Sequence, residues 1–336
     1  MQHENGNRKA MCITGAVAKA ADRYAMDVMG LKSLTLMETA SSKIAEYVMK
    51  HFPLAQKRVD ATVTNEVKDA LAELVSLGAG VADVNGVRDR QKTAARYQDL
   101  KISVLCGVGN NGADGVCASR MLLEEGYQPR VYIVGKLEKA SWEFLYQLCH
   151  FQQAGGTVTM YHPDVDIADA GAATVMAAHP DVDAADAGEA ALMAAHPDVD
   201  AADAGEAALM AVHPDSDTAA DDASPFRANR LPDDDILIDG IFGIGLHREI
   251  AGDYRTFIEE ANRRRHRFVL AIDAPSGINT DTGELMGCGI KADVTITFGR
   301  NKTGLVCGAG QNFAGRVLVE DIGIPDEAYI EAETHA

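Results

Sequence analysis

Three short runs in this 336-residue chain combine glycines with carboxylates, amides or a hydroxyl at spacings that can serve chemistry. The first, Cys106-Gly107-Val108-Gly109-Asn110-Asn111-Gly112-Ala113-Asp114-Gly115, contains GxGxxG at Gly107, Gly109 and Gly112. Glycines so placed let a backbone approach a pyrophosphate at a helix N-terminus. The two asparagines and the aspartate also offer amide oxygens and a carboxylate, which are ligands for a hard cation or for hydroxyl groups. The plain alternative is a glycine-rich turn with Asp114 as helix N-cap. The second run, Asp239-Gly240-Ile241-Phe242-Gly243-Ile244-Gly245-Leu246-His247-Arg248-Glu249, sets an Asp before spaced glycines and an Arg. That pattern suits a phosphate met by backbone N–H groups and a guanidinium. The third is Asp273-Ala274-Pro275-Ser276-Gly277. Ala274 stands where a nucleophile elbow needs glycine, and no histidine is obviously assigned to Ser276, which argues against a serine hydrolase.

Each run follows a short apolar stretch. Ile102–Cys106, Ile236–Ile238 and Phe268–Ile272 read as buried strands, joined by Val131–Val134, Thr157–Met160, Val294–Phe298 and Val317–Val319. Between them lie helical stretches: Val116–Glu125 stopping at Gly126, Ser141–Gln153 with Ser141 as N-cap, and Tyr254–Arg264. Two more helices, Ala16–Met29 and Leu34–Met49, precede the first strand. Strand–helix alternation means a mainly parallel sheet with helices on both faces, an α/β fold. Ligands in such sheets bind beyond the carboxyl ends of the strands. The pattern therefore places Asn111, Asp239, Asp273 and Ser276 along one edge, an oxygen-rich set suited to a hard cation beside a polar small molecule. A dinucleotide oxidoreductase is disfavoured, because the strand ending VYIVGKL carries no acid at its tip to take a ribose hydroxyl.

Composition narrows the rest. The formal charge is −19, but His162–Asp222 holds 15 Asp or Glu and no Lys or Arg, so the acidity belongs to one segment. There His-Pro recurs at 162, 179, 196 and 213, and HPDVDAADAGEAALMAA is followed by a near-copy ending in Val212. Its acid spacing misses that of a calcium loop, and the segment reads as an acidic insertion, 162–232. Residues 55–99, helical then polar, form a second insertion. The six cysteines show no metal-type spacing and read as reduced thiols. No apolar run is long enough to span a membrane and the N-terminus lacks a signal-peptide core, so a cytoplasmic protein without membrane or nucleic-acid partners is expected. The basic run 262–267 reads as a solvated helix end, and Trp142 as core.

Taken in order, GVGNNGADG after ISVLC, then DGIFGIGL, AIDAPSGINTDTG, ADVTITFGRNKTGL and GRVLVEDIGIP, resemble the YjeF N-terminal domain family, the NAD(P)HX epimerases. The opening AADRYAMDVMGLKSLTLMETAS is similar to that family's first helices. The resemblance implies one Rossmann-like three-layer domain over 1–336, interrupted by the two insertions, usually dimeric and binding one K+ per subunit. It implies interconversion of the R and S epimers of hydrated NADH or NADPH (NADHX, NADPHX) at nicotinamide C6, in nucleotide repair. The potassium ligands would fall on Asn111, Asp239 and Ser276. Substrate contacts would fall on Asn110, Asn111, Gly112, Ala113, Asp114, Gly243, Ile244, Gly245, Leu246, His247, Arg248, Glu249 and Asp273. Asp273 would be the acid–base residue, with Asp114 second. Ala113 and Glu249 depart from the family's usual glycine and proline, which bears on loop geometry and substrate fit. The chain ends soon after GIPDEAYIEAE, so the family's dehydratase partner is expected as a separate protein. The rival readings are a non-catalytic scaffold of the same fold and, less favoured, an NAD-dependent oxidoreductase.

Overall fold

The computed structural model describes residues 12–54, 100–162, 227–228 and 231–335. The expected 55–99 insertion and nearly all of the 162–232 repeat segment lie outside the described residues. The chain divides into two compact units. One, residues 1–45 with 101–336, carries the whole sheet. Of the other, residues 46–100, the described part is the end of one helix, a short extension to residue 54, and Leu100.

Helices α1 (Gly15–Asp27) and α2 (Ser33–His51) precede the sheet. The alternating part then runs β1 (Ile102–Cys106), α3 (Asn110–Glu124), β2 (Pro129–Ile133), α4 (Trp142–Gln153), β3 (Thr157–Tyr161) and the two-residue β4 (Arg227–Ala228). It continues through β5 (Asp234–Gly240), α5 (Gly252–Arg263), β6 (His266–Ile272), β7 (Val294–Phe298), the short α6 (Gly310–Phe313), β8 (Arg316–Glu320) and α7 (Asp326–His335). The predicted strands fall where the apolar runs are, and Ser141 caps α4 by accepting from Phe144 N at 3.2 Å. α7 is absent from the sequence reading, since its buried face is only Ala328, Tyr329 and Ala332 among acidic residues.

All eight strands are parallel, in the order β4-β3-β2-β1-β5-β6-β7-β8. The chain therefore builds outward from β1 in one direction, returns to lay β5 on the other side of β1, and builds outward again. The loops after β1 and β5 consequently leave the sheet side by side in opposite senses, which opens a crevice at that switch point. Register brings the tips level: Cys106 pairs with Gly240, and Asp239 pairs with both Leu105 and Ala271.

α3 starts at Asn110 rather than 116, with Gly109 as N-cap, so Asp114 lies inside the helix and does not cap it. The polar letters NNGADG resemble a loop, yet Gly112, Ala113 and Gly115 are fully packed against the first strand and its loop. A Cβ at Gly112 would lie 1.8 Å from the Gly107 carbonyl oxygen, so this turn closes only around a bare backbone. Cys106 and Cys117 are buried, and among the described residues no two cysteines form a disulfide. The 262–267 cations are matched by acids: Arg263 and Arg264 with Glu260, Arg265 with Asp233, Arg267 with Asp235. Trp142, expected in the core, is half-buried and stacks on Tyr146 at 5.2 Å along its own helix. Among the described residues no helix is long and apolar enough to cross a membrane.

Replacing Gly112 by Ala forces the β1–α3 turn apart. Equilibrium urea unfolding of Gly112→Ala should show a loss of about 1–3 kcal/mol, the usual cost of overpacking.

Candidate active site

A cavity of about 620 Å³ opens over the β1/β5 switch point, within the usual range of ligand sites. One wall is the loop after β1, with Asn110, Asn111 and Asp114 of α3; another is the loop after β5, from Ile241 to Leu246. α1 supplies Lys19, Asp22, Arg23 and Met26, spaced as one helical face, while Asp273, Phe298, Lys302 and Tyr329 close the side. All three glycine-bearing runs therefore meet here.

They meet around a buried carboxylate. Asp239 is fully buried at the end of β5. Its Oδ2 accepts from Ser276 N at 2.7 Å, and its Oδ1 accepts from the Ser276 hydroxyl at 2.5 Å and from Ile241 N at 3.3 Å. The Ser276 hydroxyl in turn accepts from Phe242 N at 2.9 Å. The loop after β6 is thereby tied to the loop after β5. Burial pushes the Asp239 carboxyl up to about 6, against the lowering effect of the Ser276 bonds. On the cavity side, a Cβ at Gly243 would lie 2.9 Å from Asn111 Oδ1, and Asn111 Nδ2 is buried without a partner.

Those features fit a hard monovalent cation. A buried carboxylate without an ion-pair partner among the described residues, beside the Asn111 amide oxygen and the Ser276 hydroxyl, is an oxygen donor set. Among the described residues there is no group of three or more His, Cys, Asp or Glu able to hold a metal ion, so a transition-metal site is not supported.

Asp273 occupies a different setting. It is the one non-glycine residue with positive φ among the described residues, at 61°. Left-handed backbone is tolerated by Asp and Asn better than by other side chains, and such strain of about 1–3 kcal/mol gathers at functional sites. Asp273 N donates to Ile296 O at 2.7 Å, which turns the carboxylate out of the sheet toward the cavity. Its Oδ1 accepts from Lys302 Nζ at 2.5 Å, Thr297 Oγ1 at 3.0 Å and Phe298 N at 3.3 Å. Lys302 is only 2% exposed and also donates to Thr297 Oγ1 and the Phe298 carbonyl, both at 2.9 Å. Its three N–H groups are thus spoken for.

Two further carboxyls share the cavity. Burial pushes Asp114 well above the ordinary carboxylate range, and the nearby charges of Asp273, Asp22 and Glu143 add to it. Asp22 is pushed up to about 6 by burial, opposed by Lys302 and assisted by Asp273.

Of the residues named from sequence, Asn110, Asn111, Asp114, Gly243, Ile244, Gly245, Leu246 and Asp273 line the cavity. Asp239 and Ser276 lie buried behind it. Gly112 and Ala113 are packed into α3, so the Ala113 methyl takes no cavity space. His247, Arg248 and Glu249 are exposed and off the cavity wall, Glu249 lying against Gly287 in a separate shallow depression. Sequence reasoning missed Lys302 and Asp22. Lys302 stands inside the quoted ADVTITFGRNKTGL, where a lysine shortly after an apolar strand was the available signal. Asp22 sits within an ordinary amphipathic helix and gives none.

A family model described as YjeF-related protein N-terminus matches residues 33–304. A protein of Limosilactobacillus fermentum named NAD(P)H-hydrate epimerase is 29% identical over 311 residues, covering 92% of this chain and 95% of its own. One of the same name from Leuconostoc gelidum subsp. gasicomitatum is 28% identical over 283 residues, covering 82% and 92%. The crystal structure of yeast ynu0, YNL200c, superposes with a TM-score of 0.52 at 15% identity, over 93% of this chain and 88% of that one, a likeness of fold.

The Lys302–Asp273 pair is buried, so removing one partner strands the other's charge. Lys302→Met should lower stability by about 3–5 kcal/mol in denaturant titrations at neutral pH. A loss near zero would mean the pair contributes nothing.

Proposed function

This chain belongs to the YjeF N-terminal domain family, and from that premise we propose that it is an NAD(P)H-hydrate epimerase. Its substrates are the R and S forms of NADHX or NADPHX, interconverted at nicotinamide C6. The observation that carries the reading is Asp273, ion-paired to Lys302 and turned into a cavity walled by Asn110, Asn111, Asp114 and Gly243 to Leu246.

C6 of the hydrated ring bears a hydroxyl next to the ring nitrogen, a hemiaminal. Inverting it calls for proton transfer at the hydroxyl so that one bond to C6 breaks and re-forms on the other face. No redox change and no covalent enzyme intermediate is required. A positioned carboxylate can take the hydroxyl proton, a contribution of about 10²–10⁴-fold. Asp273 fills that role: Lys302, Thr297 and Phe298 N grip Oδ1, and among the described residues no donor takes Oδ2, which is left for the substrate. The β1–α3 turn and the loop after β5 supply backbone and amide groups along the cavity for the polar remainder of the nucleotide. A dehydratase specific for one epimer would consume the product.

Asn111, Asp239 and Ser276 would hold one potassium ion. When bound, the ion supplies the positive charge that buried Asp239 lacks.

Two outcomes follow. Purified R-NADHX, followed chromatographically toward the R/S equilibrium, should epimerise far faster with protein than without. Asp273→Asn should keep its left-handed backbone but strand the Lys302 charge, at a cost of about 3–5 kcal/mol. Where circular dichroism shows it folded, it should lose at least about a hundredfold in rate; full activity in that folded variant would sink the assignment.

The second outcome concerns Asp239, whose folded-state carboxyl is raised to about 6. Its stability contribution is fully present below its ordinary value of 3.8 and is lost as pH rises through about 6 in cation-free buffer. Potassium should therefore raise the melting temperature more above pH 6 than below it, and Asp239→Asn should abolish that difference. Equal potassium effects on both proteins would remove Asp239 from the ligand set.

A further inference from the structure

The epimerase reading uses one carboxylate, yet inversion at a hemiaminal needs a proton taken and a proton given in the same step. Asp22 is a half-buried acid on the cavity wall to which nothing above assigns a task. It sits on the face of α1 that carries Lys19, Arg23 and Met26 to the cavity, whereas Val17, Ala21 and Ala25 are buried beside α7. The start of α1 is pinned to the Lys302 segment: Ile13 N donates to Asn301 O and Thr303 N donates to Ile13 O, both at 2.8 Å. That pinning brings Asp22 within electrostatic reach of Lys302 and Asp273 at one end of the cavity. Asp114 and Tyr329 line the same cavity, from α3 and α7.

The two carboxyls are served differently. Asp273 takes three donors, one of them an ammonium. Among the described residues no hydrogen-bond donor reaches Asp22, although it is half-buried. Desolvation disfavours the charged form of a carboxyl without donors, whereas donors and an ion pair favour it. Neighbouring acids in contrasting surroundings divide into a proton donor and a proton acceptor. Burial pushes Asp22 up to about 6, so the direction agrees with the geometry.

We propose that Asp22 is the proton donor of the epimerisation, working with Asp273 as the acceptor; this rests on the epimerase reading. Asp273 takes the proton of the C6 hydroxyl. The oxygen electrons form the aldehyde C=O, the C6–N1 bond breaks, and its electron pair goes to N1, conjugated with the ring carboxamide. Asp22 protonates N1. The aldehyde then turns, N1 attacks its other face, Asp22 recovers its proton and Asp273 returns the other to oxygen. Both carboxyls end as they began, and no water enters or leaves. Breaking C–O instead would give an iminium with acidic C5 protons beside a base, a route to dehydration rather than inversion.

The test compares full-length wild type, Asp22→Asn, Asp22→Glu and Asp114→Asn on R-NADHX between about pH 5 and about pH 8.5. In Asp22→Asn, kcat should fall about a hundredfold or more while KM changes less than about threefold. Wild-type kcat/KM should decline as pH rises through about 6, about tenfold per unit, as the donor loses its proton. That alkaline limb should vanish in Asp22→Asn and persist in Asp114→Asn. Asp22→Glu should recover about a tenth of the rate and shift the limb.

The proposal is overturned if Asp22→Asn keeps its kcat or its alkaline limb, or if Asp114→Asn is the variant that loses the limb. Should Asp22→Asn fail to fold, an unshifted limb in Asp22→Glu overturns it. Wild type without acceleration sinks the epimerase reading and this assignment together. An active wild type with an unaffected Asp22→Asn sinks this assignment alone.

Discussion

A carboxylate buried without a cationic partner is costly, and Asp239, which has none among the described residues, ties the loop after β5 to the loop after β6. Three donors reach its two oxygens, the Ser276 N–H and hydroxyl and the Ile241 N–H, and the Ser276 hydroxyl accepts from Phe242 N in turn. The β1–α3 turn joins the same knot by close approach: Gly107 lies against the Ile241 carbonyl, and Asn111 against Gly240 and Gly243. The cavity is the space left above this arrangement, and its floor cannot move without breaking those bonds.

Asp273 illustrates how backbone conformation and electrostatics divide the work. Its left-handed φ swings the carboxylate out of line with β6, and the Lys302 ion pair holds it in that position. The strain is offset by a ring of bonds from β7 and the segment after it. The same segment pairs with Ile13 and so sets where α1 begins. One stretch of chain thus fixes the Asp273 carboxylate on one side and a wall of the cavity on the other. α7 completes that wall by packing Ala328, Tyr329 and Ala332 beside the alanine stripe of α1, with Arg300 over the Tyr329 ring at 4.6 Å and paired to Asp326.

The sequence by itself determined the strands, because runs such as ISVLC and VTITF, buried on both faces, have few other uses, and it determined that three glycine-bearing runs lie at strand ends. It also placed Asn111, Asp239, Asp273 and Ser276 at the carboxyl edge of the sheet, since polar residues just beyond apolar runs stand out against their neighbours. It did not carry the start of α3, where Asn-Asn-Gly reads as loop until Gly112 and Ala113 are seen to pack on the turn beneath them. Nor did it carry α7, whose buried face is too small to make a period. Which loops meet was a tertiary decision: the strand order puts β5 beside β1, and short-range pattern holds no information about order. Lys302 and Asp22 gained their meaning the same way. A lysine and an aspartate 280 positions apart are ordinary letters until Ile13 pairs with Lys302 and a shared low-dielectric cavity couples their charges.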